Sequence, residues 1–269
     1  MDALSQIDAW GARTAAAGIA RAGGEIAVHG QRGTTLRWAS VTKLLTGLAV
    51  LVAVEEGTVD LDEPAGPEGS TLRHLLAHAS GLPPEEGPPL LPPGRRRIYS
   101  NYGIELAAGV VARRAGMPFA DYLRAAVVEP LGLAGSLESS PAWGYRGPLD
   151  DLLALGRELL APSLVAAETL AEAVSVQFSG LAGVLPGFGR LEPNDWGLAC
   201  ELRDAKSPHW TGSRNSPRTF GHFGAAGTFL WVDPELGLAC AVLTDREFGD
   251  WAKEAWPALA DSVVGEERP

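Results

Sequence analysis

The fold is decided by the stretch Trp38-Ala39-Ser40-Val41-Thr42-Lys43, which runs on into the apolar segment 44–54, LLTGLAVLVAV. This pattern predicts a helix that begins at or near Ser40. The helix should end at Gly57, because glycine suits the left-handed backbone that often follows a helix. The segment is apolar nearly all round, so we expect the helix to be buried rather than to lie on the surface.

Ser40 and Lys43 are three residues apart, so they share one face of the predicted helix. A serine hydroxyl is a weak nucleophile without an adjacent base. A lysine that loses its hydration has a lowered pKa and can act as that base. The positive end of a helix would also favour a developing oxyanion. Taken alone, the pattern also fits a capping serine and a surface lysine, which is the commoner case.

Composition narrows the class of protein. The 269 residues are 46% hydrophobic, which suffices for a sizeable core, and the net charge of −11 argues against a nucleic-acid partner. Cys200 and Cys240 lie in apolar surroundings that indicate buried thiols rather than a disulfide framework. No signal peptide is visible, and the apolar run after Lys43 is too short for a membrane span. We therefore expect a cytoplasmic protein.

Strand patterns occur near both chain ends and helical patterns between them. Strands are predicted at residues 16–21, 25–29, 36–38, 196–202, 219–224, 228–233 and 238–244. Helices are predicted at residues 2–10, 70–79, 101–115, 118–129, 148–160, 163–176 and 249–264. We expect an α+β fold in which one antiparallel sheet is built from both ends. Residues 1–57 and 180–269 would form the sheet lobe and residues 58–179 a helical lobe, with the active site between them.

Two further elements carry polar side chains that could serve chemistry. Tyr99 and Asn101 lie at a loop-to-helix junction, where they could project into a cleft. His222 and Gly224 lie on a predicted strand that continues into Ala225, and small residues there would let a substrate approach closely. Each element alone also fits a structural role: a packed tyrosine, a capping asparagine or an exposed strand histidine.

The three elements in this order resemble the signature of β-lactamases and penicillin-binding proteins. The chain resembles the class C β-lactamase family of serine hydrolases, which also includes D-Ala-D-Ala carboxypeptidases, D-aminopeptidases and esterases. The resemblance covers most of the chain and rests on residues 38–43, the LLAHASGL segment 75–82, residues 93–101 and residues 221–234. It implies a β-lactamase/transpeptidase-like fold and an acyl-enzyme mechanism without metal or cofactor.

The resemblance also implies catalytic roles. Ser40 would be acylated, while Lys43 and Tyr99 would share its proton and deliver it to the leaving group. The backbone N–H groups of Ser40 and Ala225 would form the oxyanion hole.

The same resemblance implies substrate-binding roles for Asn101, His222, Gly224 and Ala225. Asn101 would hold the acyl-side carbonyl, and His222 would take the place of a lysine found in other members. The third motif is therefore His-Phe-Gly in place of Lys-Thr-Gly. A neutral imidazole and the Phe223 ring offer little to a carboxylate.

We therefore expect a hydrolase of small ester or amide substrates with esterase-like activity. A true β-lactamase, a D-Ala-D-Ala carboxypeptidase or a D-aminopeptidase is the alternative. A non-catalytic binding protein of this fold is a further alternative, which the joint presence of Ser40, Lys43 and Tyr99 disfavours.

Two other candidate sites carry less weight. His74 and His78 have the i, i+4 spacing of metal ligands, but no third ligand is evident nearby, and the resemblance makes His78 structural. The run Arg95-Arg96-Arg97 could bind an anion, but we interpret it as part of a solvated loop.

Overall fold

A six-stranded antiparallel sheet contains strands from both ends of the chain. In the computed structural model, which describes residues 2–267, its strand order is β2-β1-β11-β10-β9-β8. Two smaller sheets have the orders β3-β5-β4 and β6-β7. The strands are β1 Ala15–Arg21, β2 Gly24–Gly30, β3 Leu36–Arg37, β4 Ser136–Leu137, β5 Tyr145–Gly147, β6 Gly183–Leu185, β7 Gly189–Leu191, β8 Glu201–Leu202, β9 Phe220–Gly224, β10 Thr228–Asp233 and β11 Leu238–Thr244. The predicted α+β class and the sheet built from both ends are confirmed.

Seven α-helices pack around these sheets in the described part of the chain. They are α1 Thr42–Glu55, α2 Leu72–Leu76, α3 Asn101–Ala115, α4 Phe119–Leu123, α5 Leu149–Leu160, α6 Ala167–Ala173 and α7 Asp250–Glu267. Ala3–Ala9 and Ala39–Val41 form 3-10 helices, and Arg124–Val128 extends α4 as a π-helix.

The central strands are buried on both faces, which explains their unbroken apolar sequences. Alternate residues of β11 enter different clusters, as the period of two in a strand requires. Leu238, Cys240 and Val242 join Trp256 of α7 in one cluster, while Ala239, Ala241 and Leu243 join the residues of α5 in the other. Cys200 and Cys240 are free and buried, as predicted.

Helix α1 is buried along most of its length, as its apolar sequence indicates. A short 3-10 turn containing Ser40 leads into it. Gly57 has a φ of 71° and its N–H donates to the Val54 carbonyl, so the predicted left-handed end is confirmed.

Three predicted elements are shorter than their sequence patterns suggested. Thr71, not Ser70, caps α2 through a capping box with His74, and the helix ends at Leu76 rather than near residue 79. The segment 163–176 yields only α6, because the N–H of Ser163 donates to Glu158 in a turn before it. The segment 196–202 yields only β8, since Ala199 has a left-handed φ of 55° that interrupts an extended strand.

Among residues 2–267, no helix is both long enough and apolar enough to span a bilayer. The division into a sheet lobe and a helical lobe stays a prediction.

Two helical glycines should respond in opposite ways to the same substitution. Gly156 of α5 lies against the sheet, and a Cβ there would be 2.9 Å from the Cβ of Ala239. Gly109 of α3 has only the end of the Arg113 side chain within 4 Å of an added Cβ. We expect Gly109→Ala to raise the free energy of unfolding by about 0.5–1 kcal/mol through reduced backbone entropy. We expect Gly156→Ala to lower it by about 1 kcal/mol through overpacking.

Urea unfolding of both variants beside the parent chain measures this difference. Equal stabilisation by the two substitutions would show that α5 does not pack closely on the sheet at Gly156.

Candidate active site

The segment around Ser40 is fixed by close contact with the end of β9. An added Cβ at Gly224 would lie 2.3 Å from the Trp38 carbonyl oxygen, so only glycine allows this approach. The Trp38 N–H donates to the Tyr145 carbonyl at 3.0 Å, which ties the same segment to β5. Ala39 then adopts a left-handed φ of 46°, which a non-glycine residue rarely does. These constraints turn the chain so that Ser40 reaches the cavity beside β9.

Ser100 anchors the junction that presents Tyr99 and Asn101. It is fully buried, and its Oγ donates to the Pro83 carbonyl at 2.6 Å and accepts from the Gly103 N–H at 2.9 Å. The second contact caps helix α3. With Ser100 held on the inside, both of its neighbours lie along the cavity.

Ser40 lies between two proton-carrying groups. The Tyr99 hydroxyl donates to Ser40 Oγ at 2.8 Å, and Lys43 Nζ lies 3.2 Å from the same oxygen. Lys43 Nζ also donates to Asn101 Oδ1 at 2.8 Å and to the Ala142 carbonyl at 2.9 Å. The structure thus brings together the serine, the lysine, the tyrosine and the asparagine that the sequence indicated.

Burial determines the charge state of Lys43. Its side chain is completely buried, and the loss of hydration lowers its pKa to about 7 from the ordinary 10.5. The carboxylates of Glu105 and Glu85 act in the opposite direction but do not restore the ordinary pKa. Near neutral pH, a substantial fraction of Lys43 is therefore an uncharged amine.

Burial has the opposite effect on Tyr99, because its charged form is the phenolate. The pKa of Tyr99 lies well above its usual range, although the hydrogen bond to Ser40 acts to lower it. Tyr99 is therefore a neutral phenol with a proton to donate.

His222 is buried at 3% exposure, which corrects the alternative that it is an ordinary exposed strand histidine. Its Nδ1 lies 2.7 Å from the Phe223 carbonyl, which can only accept, so Nδ1 carries the proton. Burial, and after it the nearby Lys43, lower the pKa of His222 to about 3. The ring is therefore neutral with an unprotonated Nε2. This agrees with the neutral imidazole expected from the sequence, and burial is the cause of its neutrality.

A cavity of about 280 Å³ opens beside Ser40. It is lined by Ser40, Tyr99, Asn101, Leu185, Pro186, Gly187, Trp196, His222, Phe223, Ala225 and Phe248. Five of the seven site residues predicted from sequence therefore share this cavity. The other two do not line the cavity. Lys43 lies beside Ser40 Oγ, and Gly224 packs against residues 38–40.

Several contributors to the site escaped the sequence analysis. The Ala142 carbonyl acts through the backbone, which leaves no mark in a sequence. Trp196 contacts the rings of Tyr99 and His222, with centroids 5.7 and 5.6 Å away, but its segment was interpreted as a strand. The tip of the β6–β7 hairpin covers one side of the cavity. The Pro186-Gly187 dipeptide, a turn signal, could have indicated that hairpin.

His74 and His78, and Arg97 of the arginine run, form hydrogen bonds with the surrounding chain. Nδ1 of His74 lies 3.3 Å from the Thr71 N–H, and Nδ1 of His78 lies 3.2 Å from the Ser100 N–H. Across residues 2–267, no group of three or more His, Cys, Asp or Glu side chains could hold a metal ion. Arg97 is buried and donates to the Ala77, Asn194 and Gln177 carbonyls, so the expectation of a solvated loop is wrong for this residue.

Comparison with known proteins places this geometry among related chains. A family model described as Beta-lactamase matches residues 6–264. Penicillin-binding protein 4* of Bacillus subtilis is 27% identical over 128 residues, which cover 35% of this chain and 28% of that protein. The chain thus matches well under half the length of this curated relative.

Solved structures extend the similarity over nearly the whole chain. A beta-lactamase from Mycobacterium bovis is 50% identical, with a TM-score of 0.97 and coverage of 98% of this chain and 99% of that one. EstCE1, a hydrolase with promiscuous acyltransferase activity, is 19% identical with a TM-score of 0.79, and the match covers 98% and 97% of the two chains. The second likeness concerns the fold alone.

The protonation of His222 can be measured by ¹⁵N-detected NMR of the imidazole rings. We expect His222 to stay neutral as the Nδ1–H tautomer between pH 5 and 8, because burial lowers its pKa to about 3. His222→Gln assigns the resonance. A titration midpoint for His222 within that pH range, or a proton on Nε2, would contradict the described packing.

Proposed function

Since the chain belongs to the Beta-lactamase family, we propose that it is a serine hydrolase that forms an acyl-enzyme on Ser40. The observation that carries the proposal is the position of Ser40 Oγ, 2.8 Å from the Tyr99 hydroxyl and 3.2 Å from Lys43 Nζ. Nucleophile and base within hydrogen-bond reach, with the base oriented by other groups, is the arrangement that nucleophilic catalysis requires.

Lys43 is the base in this proposal. Asn101 Oδ1 and the Ala142 carbonyl can only accept, so they take two of the N–H groups of Lys43. In the neutral amine, these two contacts use both protons and leave the lone pair directed at Ser40. As Ser40 Oγ attacks the substrate carbonyl, its proton passes to Lys43 Nζ and an ammonium forms.

Tyr99 is the proton donor to the leaving group. Its neutral phenol gives its proton to the leaving oxygen or nitrogen, and the resulting phenolate takes a proton from the Lys43 ammonium. Water then cleaves the acyl-enzyme by the same transfers in reverse. These steps transfer an acyl group and protons without oxidation or reduction, so they need no redox cofactor.

The tetrahedral oxyanion would be stabilised by the backbone N–H groups of Ser40 and Ala225. Both residues line the same cavity, and the tight contact at Gly224 keeps them side by side. Donors held in place before the reaction stabilise the developing charge without reorganisation. Asn101 would receive the acyl-side carbonyl, and His222 would line the same cavity.

The cavity favours esters or amides without a carboxylate over substrates that carry one. No lysine or arginine is among its lining residues within the described chain, and His222 is neutral. Phe223 and Phe248, whose ring centroids are 5.1 Å apart, form an apolar wall beside His222. A substrate carboxylate would lose its hydration there without gaining a charged partner.

Hydrolysis of β-lactams is the second candidate. It is favoured by the 50% identity with the beta-lactamase from Mycobacterium bovis over nearly the full length of both chains. A binding protein without catalysis is the outcome left if no substrate acylates Ser40.

The nucleophile is tested by Ser40→Ala. We expect this variant to lose hydrolysis of p-nitrophenyl butyrate by at least about a thousandfold, since no other group can form the acyl-enzyme. Ser5→Ala, at an exposed position of the 3-10 helix Ala3–Ala9, is the matched control and should keep the parent rate. Intact-mass spectrometry after acid quench should find the butyryl adduct in the parent and in Ser5→Ala only. Full activity of Ser40→Ala would refute the assignment.

The base is tested by Lys43→Arg, because an arginine cannot release its proton. We expect the rate to fall by about a hundredfold or more, the range usual for loss of a general base. In the parent, kcat/KM should rise with pH through about 7, as Lys43 loses its proton. Lys253→Arg, at an exposed pair with Asp250, should leave both rate and profile unchanged. A folded Lys43→Arg variant with a near-parental rate would remove Lys43 from the mechanism.

Substrate choice is tested by parallel assays with p-nitrophenyl butyrate, nitrocefin and a D-Ala-D-Ala peptide. We expect kcat/KM for the ester to exceed that for nitrocefin by about tenfold or more, the effect of one missing charge-assisted hydrogen bond. Nitrocefin turnover well above ester turnover would establish the β-lactamase alternative instead.

A further inference from the structure

The side-chain amide of Asn101 is held from both sides by hydrogen bonds to ionisable side chains. Lys43 Nζ donates to its Oδ1 at 2.8 Å, and its Nδ2 donates to Glu85 Oε1 at 2.9 Å. A carboxylate only accepts, so the Nδ2 of Asn101 must face Glu85 and its Oδ1 must face Lys43. Asn101 Nδ2, the group that would hold an acyl-side carbonyl, therefore already has a partner in this chain.

Backbone contacts hold Glu85 at this place. The N–H groups of Asn101 and Tyr102 both donate to the Pro84 carbonyl, at 2.9 and 3.2 Å. The Leu90 N–H donates to the Gly81 carbonyl at 2.8 Å, which closes the loop that carries Glu85. Prolines at 83, 84, 88 and 89 restrict the same loop further. The backbone at Glu85 is thus held beside the start of α3, and its exposed side chain reaches Asn101 from there.

Glu85 places a negative charge one hydrogen bond away from the cavity. Its Oε1 accepts from Asn101, and a carboxylate can accept several hydrogen bonds, so capacity for a further donor remains. Lys43, the amine on the other side of Asn101, is turned inward to Ser40 and the Ala142 carbonyl. Beside Asn101, the charge that faces an entering acyl group is therefore that of the Glu85 carboxylate.

We propose that Glu85 determines substrate specificity, favouring acyl groups that carry a cationic ammonium and disfavouring acyl groups that carry a carboxylate. The inference rests on the proposed acylation of Ser40, and it names the class of acyl group that this site accepts best. Glu85 attracts the cation directly. By accepting one of the two N–H groups of Asn101 Nδ2, it also reduces the advantage of substrates with an acyl-side amide carbonyl.

The test uses p-nitrophenyl esters with acyl groups of equal length and different charge. The cationic member is the 4-(trimethylammonio)butanoyl ester, its neutral isostere the 5,5-dimethylhexanoyl ester, and the anionic member the hemiglutarate. We expect kcat/KM to fall in that order. Glu85→Gln should reduce the preference for the cation over its isostere by about threefold to fivefold, as suits an exposed charge pair. The preference should also weaken at high salt.

Two controls separate this role from a structural one. Glu86→Gln changes the adjacent exposed carboxylate, for which the described residues offer no hydrogen bond to Asn101, and should leave the preference unchanged. Butyrylthiocholine and its 3,3-dimethylbutyl thioester isostere carry the difference in charge on the leaving group. Their ratio should not respond to Glu85→Gln, whereas a general disturbance of the loop would affect every substrate alike.

Binding of the same esters to the Ser40→Ala variant, measured by calorimetry, gives a readout that needs no turnover. The cationic ester should bind more tightly than its isostere, and Glu85→Gln should remove the difference. Absence of turnover with this discrimination intact would refute the proposed hydrolase and leave the role of Glu85 standing. Equal affinities and equal rates for the cationic and neutral esters, or a preference that Glu85→Gln does not change, would overturn the inference.

Discussion

Lys43 gives up its hydration to lie inside the protein, and the surrounding structure must replace the contacts it loses. One of its three partners is local, since Ser40 lies one turn before it. The other two are distant in sequence: Asn101 at the start of α3 and the carbonyl of Ala142 in the loop before β5. Asn101 Oδ1 and the Ala142 carbonyl only accept hydrogen bonds, so they bind two N–H groups of Lys43. This orients the lone pair of the amine toward Ser40 Oγ. Burial disfavours the charged ammonium form of Lys43 and thus lowers its pKa to about 7, so that Lys43 can act as a base.

Other contacts hold these partners of Lys43 in place. The Gly224 contact holds β9 against the segment before Ser40, and the buried Ser100 holds Tyr99 and Asn101 beside it. Arg97 donates to four backbone carbonyls behind the same junction, which satisfies polar groups that would otherwise be buried without partners. Gly224, Ser100 and Arg97 thus affect the reaction by positioning the side chains that contact the substrate.

The sequence predicted best those helices and strands that have a regular apolar pattern with glycine or proline at its ends. Strands β10 and β11 and helix α3 begin and end where their apolar patterns and glycine or proline boundaries indicate. Elements fixed by tertiary contact were mispredicted, such as the segment 196–202, where a left-handed residue interrupts an apolar run. The neutral state of His222 was expected, but its low pKa and its tautomer depend on burial and on the Phe223 carbonyl. The role of Glu85 depends on where a proline-rich loop folds, which no local pattern specifies.

The central claim is that Lys43 is a substantially neutral amine at the pH where the protein works. NMR detection of the lysine side chains, through the ¹³Cε and ¹⁵Nζ resonances, measures this directly, because the chain has only Lys43, Lys206 and Lys253 to assign. The Lys43→Arg variant identifies the resonance. The account predicts a titration midpoint for Lys43 near pH 7. A Lys43 resonance that stays protonated beyond about pH 9, close to the behaviour of an ordinary lysine, would contradict it.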